Sequence, residues 1–302
     1  MAEVVTLGEC MAVLYPSAPV SLEQAAMLHI DCAGAETNLA IGLRRLGHSV
    51  RFISHVGADP FGQRIHATLA EEGVDTSYLL TDTTAPTGVF FREWLPDGAR
   101  RVFYYRAGSA ASHLSPQDLQ VEMFHGARIV HLTGITPALS ASCAAAVARA
   151  IELARIVGAL VSFDPNYRAR LWDMRTAQAT LLPLMSQTDI LLMGHEDAHA
   201  ILGLTDDDAI LARGVELGAR AIVLKRAERG ACALAGSTRV DVLAEVSGAA
   251  IDPVGAGDGF NAGFLAGWLR GYALEDALRL GARIGAAAVA TLGDYAGYPR
   301  LL

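Results

Sequence analysis

Two kinds of hydrophobic pattern divide the chain. In the first, short apolar runs alternate with longer stretches in which apolar residues recur every three or four positions. VVTLGE (4–9), VRFISHVG (50–57), ARIVHL (127–132), ALVSFD (159–164) and QTDILLMG (187–194) predict strands. AETNLAIGLRRLG (35–47), FGQRIHATLAEEG (61–73), SASCAAAVARAIELARIVG (140–158) and LEDALRLGARIGAAAVATLG (274–293) predict helices. Gly47 and Gly158 stop the first and third of these. AIVLKRAERGACAL (221–234) predicts a strand, a turn and a strand. Strands that alternate with helices imply a mainly parallel sheet covered on both faces.

The second pattern occupies residues 11–34 and 87–109, which do not alternate in this way. The later segment carries two aromatic-rich strand patterns around PDGAR (96–100), a hairpin signal. These two insertions predict a small β-sheet that projects from the main body as a lid. No linker composition or internal repeat breaks the chain, so residues 1–302 are expected to form a single domain.

With 302 residues, 52% of them hydrophobic and 19% charged, the chain has the profile of a compact α/β enzyme. A formal net charge of -8 argues against nucleic acid or an anionic membrane as a partner. Cys10, Cys32, Cys143 and Cys232 form no CxxC pair and are expected to be buried thiols in a reducing compartment. The first residues resemble a strand rather than a signal peptide, and no apolar run is long enough to span a membrane, so a cytoplasmic location is expected. His195 and His199 lie four apart on an expected helix, but no third metal ligand accompanies them.

DPVGAGDGFNAGF (252–264) concentrates the candidate chemistry. A phosphate loop of the GxxxxGK[ST] type is excluded because no Lys-Ser/Thr follows, and GADPFGQR (57–64) has Gln63 where the lysine belongs. GDGFNA (257–262) fits the dinucleotide pattern GxGxxA, but only helical sequence follows, so a nicotinamide oxidoreductase is disfavoured. A helix start built for anions fits better. Gly255, Ala256 and Gly257 would offer unobstructed amides, and the helix dipole would point at the same place. Asp258 would take the proton of an attacking hydroxyl in a phosphoryl transfer. The plainer role for Asp258 is a helix N-cap.

DPVGAGDGFNAGFLAG (252–267), together with GAETNLAIGLRRLG (34–47) and VGADPFGQ (56–63), resembles the two signatures of the ribokinase-like sugar kinases, the phosphofructokinase-B family. The resemblance covers essentially the whole chain. It implies an αβα sandwich with a small β lid, ATP as phosphoryl donor, Mg²⁺ carried by the nucleotide, and in some members a monovalent cation. It also implies Asp258 as base and the backbone of 255–258 as anion hole.

VFYYRAGSA (102–110), HLTGITPALS (131–140), DPNYRARLW (164–172) and GDYAGYP (293–299) resemble the branch of that family that acts on 2-keto-3-deoxygluconate. A sugar acid needs a cation for its carboxylate, and Arg106 and Arg168 are the candidates. By resemblance, Gly34, Tyr104, Arg106 and Arg168 line the substrate site, with Asp294 near the far hydroxyls and Asn38 and Ile135 beside them. Asn166, Lys225 and Gly230 match the nucleotide side. The structural alternatives are a solvated Arg106, an Arg168 paired with Asp164 or Asp173, an Asp294 that ends a helix and a Lys225 on an edge strand.

Two departures from the family pattern stand out. GHED (194–197) replaces the family's NxxE, putting Gly194 for Asn and Asp197 for Glu, so any magnesium contact would run through Asp197. Phe90 stands where close relatives are expected to carry a lid tyrosine. The resulting expectation is an ATP-dependent sugar-acid kinase that pairs through its lids into a homodimer or dimer-built assembly. The competing expectations are a kinase for fructose, ribose or adenosine and a non-catalytic sugar or nucleotide sensor.

Overall fold

The computed structural model describes residues 1–245, 248 and 250–300. A large sheet is built from β1 (Val4–Leu7), β4 (Val50–Gly57), β5 (Asp75–Asp82), β8 (Ile129–Thr133), β9 (Leu160–Asp164), β10 (Ile190–Gly194), β11 (Ala221–Lys225), β12 (Ala231–Ala235) and β13 (Thr238–Val242). Its order is β13-β12-β11-β10-β9-β8-β1-β4-β5. Every pairing from β11 to β5 is parallel; β12 runs antiparallel to β11 and β13 antiparallel to β12.

Successive strand residues feed opposite cores, as the pleat requires. Val4, Ile190, Leu192 and Val223 join one apolar cluster, which also takes Leu39 and Leu43 of α1 (Ala35–Arg45) and Ile65 of α2 (Pro60–Glu71). Phe264 of α7 (Ala256–Leu269) and Leu278 of α8 (Leu274–Val289) complete that layer. Val5, Leu191, Met193 and Leu224 join the other cluster, with α3 (Ala141–Ile156), α4 (Met174–Met185), α5 (His195–Leu202) and α6 (Asp207–Glu216). The result is a mainly parallel sheet covered by helices on both faces, as the alternation predicts, in the αβα form that the resemblance implies. Burying a large apolar side chain contributes about 1.5–3 kcal/mol. The continuous strand runs therefore hold the sheet between its two helix layers rather than at a surface.

A second sheet comes from the two insertions: β2 (Met11–Tyr15), β3 (His29–Ala33), β6 (Val89–Trp94) and β7 (Arg100–Tyr105), in the order β3-β2-β6-β7. The hairpin at PDGAR joins β6 to β7 with Phe90 opposite Tyr104. One face carries Met11, Val13, Tyr15, Ala33 and Phe90 in a small apolar cluster of its own. The other leaves Phe103 and Tyr105 exposed.

Part of the glycine-rich signature is structural. A Cβ on Gly263 would lie 2.7 Å from the Leu280 carbonyl oxygen, and one on Gly267 would lie 2.7 Å from the Ala277 Cα. These residues let α7 and α8 pack closely, and Ala262 is fully buried. The small residues after Asp258 therefore serve helix packing.

Candidate active site

The site gathers at the C-terminal ends of the parallel strands, around the start of α7. Gly255 is the residue before the helix and adopts φ 79, the left-handed region that favours glycine. A Cβ there would fall 1.8 Å from the Asp294 carbonyl oxygen, so only glycine fits. Tyr298 Oη donates to the Gly255 carbonyl at 2.6 Å and fixes the turn. Ala256 N–H is taken by the Pro253 carbonyl at 3.2 Å. Gly257 is exposed and the helix's first-turn amides lie around it.

Asp258 lies inside this first turn, so it is not the N-cap; Gly255 holds that place because α7 begins at Ala256. Asp258 Oδ2 accepts a hydrogen bond from Asn38 Nδ2 at 2.8 Å. Burial pushes its carboxyl up to about 7, and the nearby Asp164 charge adds to the rise. The Asn38 hydrogen bond and the charges of Lys225 and Arg168 oppose it. A carboxyl so placed changes protonation near neutral pH, as a general base should.

Beneath Asp258, the buried Asp164 accepts from Lys225 Nζ at 2.6 Å, from Asn261 Nδ2 at 2.6 Å and from Asn166 N–H at 3.1 Å. Lys225 is not an edge charge, because β11 lies between β10 and β12. A Cβ on Gly257 would be 3.7 Å from its Nζ, so the ammonium borders the α7 turn. Asn166 holds a positive φ of 39 at the turn leaving β9. Asp197, in the first turn of α5, accepts from Tyr167 N–H at 2.9 Å, and burial, with Asp164 second, raises its carboxyl to about 6. Gly194 precedes α5; a Cβ there would stand 3.1 Å from Asp197 Oδ2, so a larger residue would crowd that carboxylate. Gly230, with φ 84, begins the return from the 227–229 turn into β12.

Arg168 is exposed and makes no ion pair among the described residues. The partners considered for it are otherwise engaged: Asp164 with Lys225, and Asp173 as the N-cap of α4. Its charge still reaches Asp258 and Asp197 and lowers both carboxyls. Arg106 differs. Its guanidinium is buried, lies 5.5 Å above the Tyr104 ring and pairs with the fully buried Glu9, so it is not a solvated strand residue. Glu9 also accepts from Ser109 Oγ. Tyr104 and Tyr105 are both partly exposed; Tyr104 stacks on Phe90 with ring centres 5.5 Å apart. A hydroxyl at position 90 is absent, and the ring is spent on packing.

Gly34 precedes α1, and a Cβ on it would meet the Glu9 carbonyl oxygen at 2.2 Å. Ile135 follows β8, its N–H bonded to Thr133 Oγ1 at 3.1 Å. Asp294 lies beyond the end of α8 and does not terminate that helix. It is buried, accepts from Arg92 Nη1 at 3.0 Å and sits 3.4 Å from Asn38 Nδ2. Arg92 and Glu9 take part in this arrangement without any motif that singles them out in the sequence, while Asp164 and Asn261 lie within DPNYRARLW and DPVGAGDGFNAGF, where no role is assigned to them.

A model of the pfkB carbohydrate kinases matches residues 1–301. The chain belongs to the pfkB family of carbohydrate kinases. Among curated pfkB-family relatives, the 2-dehydro-3-deoxygluconokinase of Thermoproteus tenax is 35% identical over 264 residues, covering 85% of this chain and 79% of the relative. The 2-dehydro-3-deoxygalactonokinase of Haloferax volcanii is 32% identical over 262 residues, covering 86% and 82%. Among solved structures, an Escherichia coli ribokinase II in complex with ATP and Mg²⁺ superposes with a TM-score of 0.91 at 25% identity, covering 98% of this chain and 96% of its own.

Proposed function

We propose that this pfkB-family kinase transfers the γ-phosphoryl group of ATP to the terminal hydroxyl of 2-keto-3-deoxygluconate (2-dehydro-3-deoxygluconate), or of a closely related keto-deoxy sugar acid. Asp258 accepts the hydroxyl proton, and the oxygen so released attacks the γ-phosphorus while ADP leaves. The α7 turn around Gly255 and Gly257, with Lys225 beside it, faces the charge that develops on the transferring oxygens; the Ala256 amide, held by the Pro253 carbonyl, adds to the turn's shape instead. Asn166 and the turn that ends at Gly230 border the nucleotide side.

The observation that carries the acid specificity is Arg168. Its guanidinium is exposed and makes no ion pair among the described residues, whereas Arg106 and Lys225 are already paired. A substrate carboxylate supplies the missing partner, in the two-pronged geometry that arginine favours. Arg106 is held by Glu9 and contributes a second, shared contact. Gly34, Asn38, Phe90, Tyr104, Ile135 and Asp294 border the sugar. The small sheet acts as the lid that excludes water from the transfer. Relatives named for deoxygluconate and deoxygalactonate phosphorylation support this substrate class.

Magnesium fits the donor set as a guest of the nucleotide. The described residues hold no group of three acidic, histidine or cysteine side chains able to bind a metal alone. Asp197, whose carboxyl burial and the nearby Asp164 charge raise to about 6, makes no ion pair among the described residues. When bound, the ion would neutralise phosphate charge, with Asp197 as the protein's contact to it. The outer face of the small sheet, with exposed Phe103 and Tyr105, supports pairing of two copies through that face.

The deciding experiment is an ADP-release assay with Mg-ATP on 2-keto-3-deoxygluconate, its galactonate epimer, fructose, ribose and adenosine. Turnover confined to the keto-acids upholds the proposal. Turnover on a neutral sugar alone would discard the carboxylate role of Arg168, and none at all would favour a sensor.

A further inference from the structure

Arg92 lies on β6, in the small sheet, yet its guanidinium is buried against residues from the other side of the cleft. Nη1 lies 3.0 Å from Asp294 Oδ1 and 3.1 Å from Asp252 Oδ2. The guanidinium carbon stacks 4.6 Å from the centre of the Tyr15 ring on β2. Asp252 begins the segment that leads to the α7 turn, and Asp294 is the residue whose carbonyl oxygen seats Gly255. Asn38 Nδ2 lies between Asp294, at 3.4 Å, and Asp258, at 2.8 Å. A single unbroken line of polar contacts therefore runs from the small sheet to the proposed base: Arg92, Asp294, Asn38, Asp258.

We propose that Arg92 is a positioning residue that ties the small sheet to Asp258, acting through Asp294 and Asn38. This rests on Asp258 being the base. The guanidinium keeps Asp294 ionised, and an ionised Asp294 can only accept hydrogen bonds. Asn38 must then turn its NH₂ group toward both carboxylates, which leaves one N–H for Asp258. Among the described residues Asn38 Oδ1 has no hydrogen-bond partner, so none of them fixes the amide in this orientation through its oxygen. Without the guanidinium, Asp294 would hold its proton at neutral pH. It would then donate to Asn38 Oδ1, turn the amide over and take the N–H away from Asp258.

The other groups around Asp294 favour that outcome. Burial already raises its carboxyl to about 6, and Arg92 is the main opposing influence. Asp252 from the loop before α7 and Asp31 from β3 add like charge, while Asn38 from α1 supplies a hydrogen bond. Tyr298 and Tyr15 face the same carboxylate as neutral phenols, their own ionisation pushed up. Arg100 on β7 compensates Asp252 at 3.0 Å, and no bond joins it to Asp294 among the described residues.

The test compares Arg92→Met, Arg92→Lys and Arg100→Met in the full-length kinase, recording kcat against pH from 6 to 9 with the best keto-acid substrate, alongside Asp258→Asn. The inference expects Arg92→Met to lose about tenfold or more at pH 7 and to recover toward the parent rate as pH rises and Asp294 ionises. Arg92→Lys, which keeps the charge but not the planar group that stacks on Tyr15 and places Nη1 between the two carboxylates, should show a smaller shift in the same direction. Arg100→Met should keep the parent profile. A folded Arg92→Met whose loss is the same at every pH would overturn the inference and leave a structural role. If Arg92→Met does not fold, Arg92→Lys decides: a shifted profile supports the inference and an unshifted one ends it. Asp258→Asn separates the two levels, since an active Asp258→Asn defeats the base assignment, whereas an inactive one with an unshifted Arg92 series defeats only this coupling.

Discussion

The two walls of the cleft handle charge in opposite ways. Where the small sheet meets the main body, every buried cation has a partner: Arg92 with Asp252 and Asp294, and Arg106 with Glu9. At the strand ends Lys225 pairs with Asp164, but among the described residues Asp258, Asp197 and the exposed Arg168 make no ion pair. The paired wall fixes shape, because each ion pair is lost if its geometry slackens. The groups left without an ion pair are the ones the proposed reaction would use, as carboxylates that change charge or a cation that finds a partner when ligands arrive. A stability optimum would have paired these groups as well.

Removing the proposed base should break this contrast most severely. Asp258→Asn should lower kcat by about 10²–10⁴-fold, the usual range for a general base, with ATP affinity nearly unchanged. Isotherms for ATP and single-turnover rates measured on the same preparation would check both halves. An Asn variant within about threefold of the parent rate would remove Asp258 from the proton transfer.

Arg168 sharpens the contrast by asking whether the free cation is meant for the substrate. Arg168→Ala should raise KM for the keto-acid by about 10–100-fold, the worth of a charged hydrogen bond of roughly 1.5–3 kcal/mol. KM for a neutral sugar, if one is accepted at all, should change far less. Equal increases for both would make Arg168 a general structural contact.

The protonation state of the unpaired wall predicts a pH profile. The proposed reaction needs Asp258 as carboxylate, and burial pushes that carboxyl up to about 7. The rate should therefore fall on the acid side, approaching tenfold per pH unit well below 7. Stability should run the other way. An acid whose carboxyl is raised in the fold binds its proton more tightly there than in the unfolded chain, so stability drops as pH rises from about 4 through 7. Melting of the ligand-free protein at pH 6 and pH 8 would test this. Asp258→Asn, which removes the misfit charge, should melt about 2 °C or more above the parent at pH 8. A lower melting point would mean that the charge is better compensated than the contacts show.

The smallest expected effect concerns the small sheet's outer face. Phe103→Ser with Tyr105→Ser should weaken self-association, visible as a shift toward monomer in sedimentation, while the per-site rate with saturating substrate changes by about twofold or less. An unchanged oligomer would move the interface elsewhere.

Much of the frame was legible along the chain. The alternation of apolar runs and helical periodicity identified β1, β4, β8, β9, β10 and β11, because strands buried on both faces must be continuously apolar. The edge strand β5 escaped notice, since its DTSYLLTD pattern is half-exposed and mixes polar with apolar residues. The helices α4 and α6 were also missed: Pro183 lies inside the first, and acidic residues crowd the start of the second. The small sheet was recognisable from its aromatic alternation and hairpin turn, which are local signals.

The turn before α7 was legible for the same reason. GAGD is a contiguous solution to a local problem, a tight left-handed glycine followed by a helix start, and local problems leave contiguous traces. Which charges are free could not be read that way. Arg106 and Arg168 look alike in sequence, yet one is claimed by Glu9, ninety-seven residues away in the chain by number (106 minus 9), and the other by nothing. Arg92 reaches Asp294 across a separation of 202 residues. The sequence determined most of the strands and helices and the glycine turn before α7, because backbone geometry and apolar periodicity act over a few residues. Only the tertiary structure decided the pairing of charges, because Coulomb and desolvation energies depend on distance in space and on burial, and neither follows from distance along the chain.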